Sequence, residues 1–135
     1  MRICFFVEGR PAPQQRARLD KNKKWLYSPK SGFYKALVKR AREYAPKPPI
    51  SKPIRLTLKF QYTPPKKRSG EIYKTSRADL DNLEKAVMDA LTEAKLWLDD
   101  SLIVVKLSGK LYKAKEGVHI TVETLKNIRN FGELQ

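Results

Sequence analysis

The chain has 135 residues, of which 41% are hydrophobic, and carries a formal charge of +15 from 29 Lys and Arg against 14 Asp and Glu. These values predict one folded domain over 1–135 with a strongly basic surface, and they exclude a disordered basic tail. One Cys and one His exclude an intramolecular disulfide and a Cys/His zinc site. No apolar run reaches the roughly 20 residues of a membrane helix or forms a signal-peptide core, so a cytoplasmic protein with a nucleic-acid partner is expected.

Residues 2–8 (RICFFVE) are short, apolar and bulky, and predict a buried first strand in which Cys4 is a small buried hydrophobe. GRPAPQQRARLDKNKK follows, broken by Gly9, Pro11 and Pro13 and carrying Arg10, Arg16, Arg18, Lys21, Lys23 and Lys24. Such a loop is either solvated or touches phosphates; Arg16 and Arg18 are candidate DNA contacts. Trp25–Tyr27 is a short extended piece.

Apolar positions at Phe33, Ala36, Leu37, Ala41 and Tyr44 predict an amphipathic helix over 29–45, ended by Pro46, Pro48 and Pro49. PIRLTLKFQY (53–62) alternates strictly, with Ile54, Leu56, Leu58, Phe60 and Tyr62 on one face, and predicts a strand buried on one side. The loop that follows is about 16 residues long, more than compact domains usually carry without a function. Its cations Lys66, Lys67, Arg68, Lys74 and Arg77 are further candidate DNA contacts.

An acidic island comes next. Between Asp79 and Asp100 lie seven of the fourteen acidic residues and only Lys85 and Lys95 of the 29 basic ones. From Leu80 onward, Leu83, Ala86, Val87, Ala90, Leu91 and Ala94 form one helical stripe. Asp79 suits the N-cap and Asp81 the positive end of the helix dipole, a purely structural role. If extended chain persists through Asp81, the two carboxylates project together and repel unless a cation lies between them. Lys85, one turn past Asp81, either forms an ordinary helix ion pair or reaches the same spot. Glu84, Asp89 and Glu93 are read as surface or pairing residues. Trp97-Leu98 returns the chain to the core, and Asp99-Asp100 precede a buried strand over Leu102–Val105. One of that last acidic pair is expected to complete a three-carboxylate cluster of hard oxygens, suited to Mg²⁺ or, in its place, Mn²⁺.

The run DLDNLEKAVMDAL followed by WLDD resembles the RusA family of Holliday-junction-resolving endodeoxyribonucleases, common in phages and prophages. GRPAPQQRAR and YSPK (27–30) also look like its phage-type members. Some members carry a dense arginine run before the acidic pair, where this chain has KTSRA. The resemblance implies metal-binding and catalytic roles for Asp79, Asp81 and Asp100, a catalytic role for Lys85, and a homodimer making paired nicks in a four-way junction during recombination and repair. Other branched DNA, or binding without catalysis, are the competing readings; the clustered acids argue against a pure binder.

Downstream, GVHITVET (117–124) predicts a final strand in which His119 is packed or partnered, and LKNIRNFGELQ is a tail, one helical turn or an oligomer contact. The expected fold is α+β, ordered β-α-β-α-β-β, with two helices packed on a mixed, mainly antiparallel sheet.

Overall fold

A computed structural model describes residues 1–14, 18–20, 25–27 and 31–126; Arg16, most of the YSPK stretch and the tail from 127 lie outside the described residues. The strands are β1 (Arg2–Glu8), β2 (Arg18–Asp20), β3 (Trp25–Tyr27), β4 (Ile54–Tyr62), β5 (Ile103–Tyr112) and β6 (Gly117–Thr124), and the helices α1 (Gly32–Tyr44) and α2 (Leu80–Glu93). The main sheet is ordered β1-β6-β4-β5, with β6 antiparallel to both neighbours and β5 parallel to β4. β2 and β3 form a separate antiparallel pair. The α+β expectation therefore holds, including a mixed sheet dominated by antiparallel pairing.

Alternation in β4 sets the layers. Ile54, Leu56, Leu58, Phe60 and Tyr62 are buried and join Phe33, Leu37 and Ala41 of α1 and Leu83, Val87 and Leu91 of α2 in one core. Both helices thus cover the same face. α1 starts at Gly32, where the Ser31 hydroxyl accepts a 3.1 Å hydrogen bond from the Tyr34 N–H, and stops short of Pro46, whose ring disfavours helix in the preceding residue. Its buried stripe also takes in Tyr34 and Val38, whereas Tyr44 lies outside, its ring stacked on Phe5 at 4.8 Å.

Two expectations of burial fail, one because both helices pack on the other face of the sheet and one because β5 is an edge strand. In β1 only Phe5 and Val7 are buried, while Cys4 points to the uncovered face and is exposed, its thiol 3.6 Å from the Thr121 hydroxyl. β5 begins at Ile103 and runs to Tyr112, well beyond the short strand expected, and Val104 and Leu107 are exposed. A bulge beside Ile54 and Arg55 shifts its register, after which Lys106, Ser108, Lys110 and Tyr112 lie opposite the inward residues of β4. Trp97 enters the core as expected, but Leu98 beside it is exposed.

Candidate active site

The long loop after β4 is held against the sheet. A 3-10 turn spans Lys66–Arg68, and an isolated bridge pairs Tyr73 with Leu111, so residues 72–74 cover the outer edge of β5 at its C-terminal end. The Lys74 N–H donates to the Lys110 carbonyl at 3.1 Å and the Tyr112 N–H to the Ile72 carbonyl at 2.9 Å. Two ammonium groups then grip the chain just before the helix. Lys110 Nζ lies 2.8 Å from both the Ser76 and Ala78 carbonyl oxygens. Lys74 Nζ donates to the Ser76 hydroxyl at 2.6 Å and to the Arg77 carbonyl.

Asp79 is the N-cap of α2 in extended conformation, yet its side chain caps nothing: it makes no hydrogen bond to the exposed amides of the first turn. The helix begins at once, so Asp81 lies in its first turn and not in an extended approach, with its carboxylate accepting from the Asn82 N–H at 3.0 Å. Both acids are exposed at the positive end of the helix dipole. Lys85 forms a 3.5 Å ion pair with Asp89, directed along the helix away from Asp81.

α2 runs antiparallel to β5. Its N-terminal approach lies by Lys110, Glu84 accepts from the Ser108 hydroxyl and sits 3.3 Å from Lys106 Nζ, and its C-terminal end leads through Lys95 (φ 64°) and Trp97 to the start of β5. Glu84, read from sequence as a surface or pairing residue, is a buried pin between helix and edge strand. Glu93 accepts from the Tyr34 hydroxyl at 3.3 Å, tying the two helices; burial first, and then the Glu93 charge, push the Tyr34 phenol up to about 12.

Asp99 and Asp100 stand at the far end. Asp99 caps a 3-10 turn over Asp100–Leu102, its carboxylate accepting from the Ser101 N–H and hydroxyl; these bonds, the hydroxyl's first, hold it below the usual carboxylate range. Among the described residues the Asp100 carboxylate has no such partner. The antiparallel arrangement keeps it from Asp79 and Asp81. Fourteen residues of helix span about 21 Å, and the seven steps from Ile103 to Lys110 cover about 23 Å of strand. Oxygens bound to one Mg²⁺ stand within about 4 Å of one another. Accordingly, among the described residues no three acidic, His or Cys side chains converge on a possible metal position. The expected cluster of Asp79, Asp81 and Asp100 does not form within one chain.

The candidate DNA contacts divide. Lys66, Lys67 and Arg77 are exposed, and Arg68 is shared with Glu71 at 3.3 Å. Lys74 is only 7% exposed, with its ammonium turned inward onto residues 76 and 77 and 4.9 Å from the Tyr62 ring centre. This corrects its reading as a surface phosphate contact. For Arg18 only the backbone, in β2, is described. A cleft of about 460 Å³ next to the site is lined by Arg10, Tyr62, Lys67, Arg68, Lys74 and Ser76; Arg10 crosses it to Glu116 at 2.6 Å. Lys110 escapes a reading of the sequence because 32 residues separate it from the carbonyl it holds. His119 lies on the uncovered sheet face against Phe6, with ring centres 4.5 Å apart. Partial burial, then Lys59 and Lys115, hold its imidazole below the usual range.

A family model described as endodeoxyribonuclease RusA matches residues 8–123. The chain is 30% identical over 122 residues to the crossover junction endodeoxyribonuclease rusA of Lactococcus phage r1t, an alignment covering 87% of this chain and 93% of that protein. It is 68% identical over 50 residues to the crossover junction endodeoxyribonuclease RusA of Escherichia coli O139:H28 strain E24377A, covering 36% of this chain and 42% of that one. With the protein of the same name from E. coli strain K12 it shares 44% over 52 residues, covering 38% and 43%.

Proposed function

Since the chain belongs to the RusA family of endodeoxyribonucleases, we propose that it resolves Holliday junctions by Mg²⁺-dependent phosphodiester hydrolysis, as a homodimer whose two copies complete each other's sites. The observation that carries this reading is the pair of carboxylates at the start of α2. Asp79 occupies a capping position and makes no cap hydrogen bond, which leaves its oxygens free beside Asp81. Structural capping does not account for it.

Two carboxylates and an open position are a hard-oxygen donor set suited to Mg²⁺, with Mn²⁺ as a substitute, but the third acid belongs to the other end of the helix. A second copy removes that obstacle. The outer edge of β5 before its bridge at Leu111 has no partner strand among the described residues, and Leu98, just before Asp100, and Val104 and Leu107 along β5 are exposed. Exposed apolar residues along an unpaired edge suit a twofold, self-complementary contact. In an antiparallel meeting of two such edges, the start of one β5 faces the end of the other. Asp100 of the partner subunit then approaches the Lys110 end, where Asp79 and Asp81 stand.

Asp79, Asp81 and Asp100 of the partner subunit would hold the cation. When bound, it supplies an activated water and offsets the negative charge that builds on the phosphate. Lys85, one turn beyond Asp81, is the cation we assign to the scissile phosphate or leaving oxygen, exchanging Asp89 for the substrate. Lys66, Lys67, Arg68 and Arg77 receive flanking phosphates, and a twofold dimer presents these groups to two symmetric strands. Shape and phosphate position, more than base edges, then select a crossover.

The test is nicking of four-way, flap and linear duplex substrates with Mg²⁺. Paired nicks in the four-way junction are expected, and EDTA should stop them while circular dichroism stays native, because the core is apolar and the acids lie outside it. Cutting without metal, or equal cutting of linear duplex, contradicts the proposal. For the basic loop, Lys66→Ala with Arg68→Ala should make the slope of log affinity against log salt shallower by about one for each side chain that touches a phosphate. An unchanged slope would place the DNA elsewhere.

A further inference from the structure

We infer that Lys74 and Lys110 form a clamp that positions Asp79 for metal binding, and that neither is a DNA contact. The inference rests on the metal-binding role proposed for Asp79.

Between them the two ammonium groups reach the carbonyl oxygens of Ser76, Arg77 and Ala78 and the hydroxyl of Ser76. Three consecutive peptide units before the N-cap are thereby held by the two side chains. Asp79 has no side-chain hydrogen bond of its own to orient it, so the direction in which it leaves the backbone is set by the segment behind it. That segment is tied at its other end by the pairing of Tyr73 with Leu111. Lys110 thus connects the edge strand directly to the peptide unit preceding Asp79, whose nitrogen belongs to the same amide as the Ala78 carbonyl.

The arrangement is costly unless it has a use. Placing two like charges on hydrogen-bonded neighbours raises their mutual repulsion, and Lys74 is also buried. Burial first, and then the charges of Lys110, Arg10 and Arg68, lower the Lys74 ammonium from its ordinary range. Carbonyl oxygens repay part of that cost only if the segment stays in place. A pair of positive charges behind an acidic pair also offsets the repulsion between Asp79 and Asp81 before any cation arrives.

The experiment uses the whole 135-residue chain and Mn²⁺ as probe, counted by electron paramagnetic resonance of the free ion, beside junction binding in EDTA across a salt series. Lys110→Gln keeps a donor but removes the charge, Lys110→Met removes both, and Lys110→Arg keeps both. Expected is a 10- to 100-fold weakening of Mn²⁺ binding in Lys110→Met, as typical when an outer-sphere partner of a metal ligand is lost (about that range). A smaller loss is expected in Lys110→Gln and near-recovery in Lys110→Arg, with junction affinity and its salt slope unchanged in all three. A slope shallower by about one would make Lys110 a phosphate contact and overturn the clamp; unchanged Mn²⁺ binding would overturn it too. Should Lys110→Met fail to fold, Lys110→Gln against Lys110→Arg decides the same question. Asp79→Asn separates the clamp from its premise. If that variant binds Mn²⁺ as the parent does, the metal-site reading itself is wrong; if it loses Mn²⁺ while Lys110→Gln does not, only the clamp is.

Discussion

Asp79→Asn and Asp100→Asn proteins, each inactive alone, should regain nicking when mixed and allowed to exchange subunits. The expectation follows from the length of α2, about 21 Å, which stands between Asp79 and the turn that leads to Asp100. If each site takes Asp79 and Asp81 from one copy and Asp100 from the other, a mixed dimer holds one site with both lesions and one with neither. Random exchange makes half of the dimers mixed, so roughly a quarter of the parent's active sites return. Those sites nick one strand only, and paired nicks stay rare. If all three acids acted within one chain, every copy in the mixture would carry a lesion and the mixture would stay inactive. Single-strand nicking of a labelled junction reads out the difference, and the loss in each parent should exceed the 10- to 100-fold (about that range) of an outer-sphere change. Sizing of Leu107→Glu provides the companion measurement: a monomer without activity supports the same arrangement.

The second large effect is on stability. Trp97→Ala should destabilise the fold by about 3–5 kcal/mol, measured by urea unfolding. Trp97 is fully buried and its indole N–H donates to the Thr92 hydroxyl at 2.7 Å. Backbone hydrogen bonds on either side, from Ile50 N–H to the Leu96 carbonyl and from Leu98 N–H to the Ile50 carbonyl, each 3.0 Å, hold the turn between α2 and Asp99. Removing the ring leaves a cavity at the hinge of that turn. Total stabilities of about 5–15 kcal/mol make such a loss a large share. Trp97→Phe should cost less, about 1–2 kcal/mol, chiefly for the lost hydrogen bond and the smaller ring. Because Asp100 lies three residues on, the Phe variant should keep more nicking than the Ala variant at equal folded fraction.

Much of this molecule is legible in its sequence. The strict alternation of 54–62 and the uninterrupted stripe from Leu83 to Ala94 predicted β4 and α2 nearly to the residue, because period two and period 3.6 are imposed by backbone geometry alone. The acidic motif and WLDD carried the family, which the match over residues 8–123 shows. Burial was read less well at Cys4 and over Leu102–Val105. A short apolar run looks the same in a central and in an edge strand and on either face, and only the strand order, β1-β6-β4-β5, together with the side on which both helices pack, tells which residues lack a cover. Lys74 was misread for a related reason: a lysine in a basic loop resembles its neighbours until packing turns one of them inward.

Local pattern and motif chemistry thus determined β4, α2 and the family, since these depend on residues within a few positions of each other, whereas β2 lies in a stretch that reads as a loop and β5 outruns its apolar start. What only the tertiary structure decided is how the acidic island is divided. In sequence Asp79, Asp81 and Asp100 are one cluster; in space a rigid helix holds them at opposite ends, and the antiparallel course of α2 against β5 places Lys110, not Asp100, behind Asp79. A helix cannot bend back over its own length to bring its two ends together, so in the reading proposed here a second chain must supply the missing ligand.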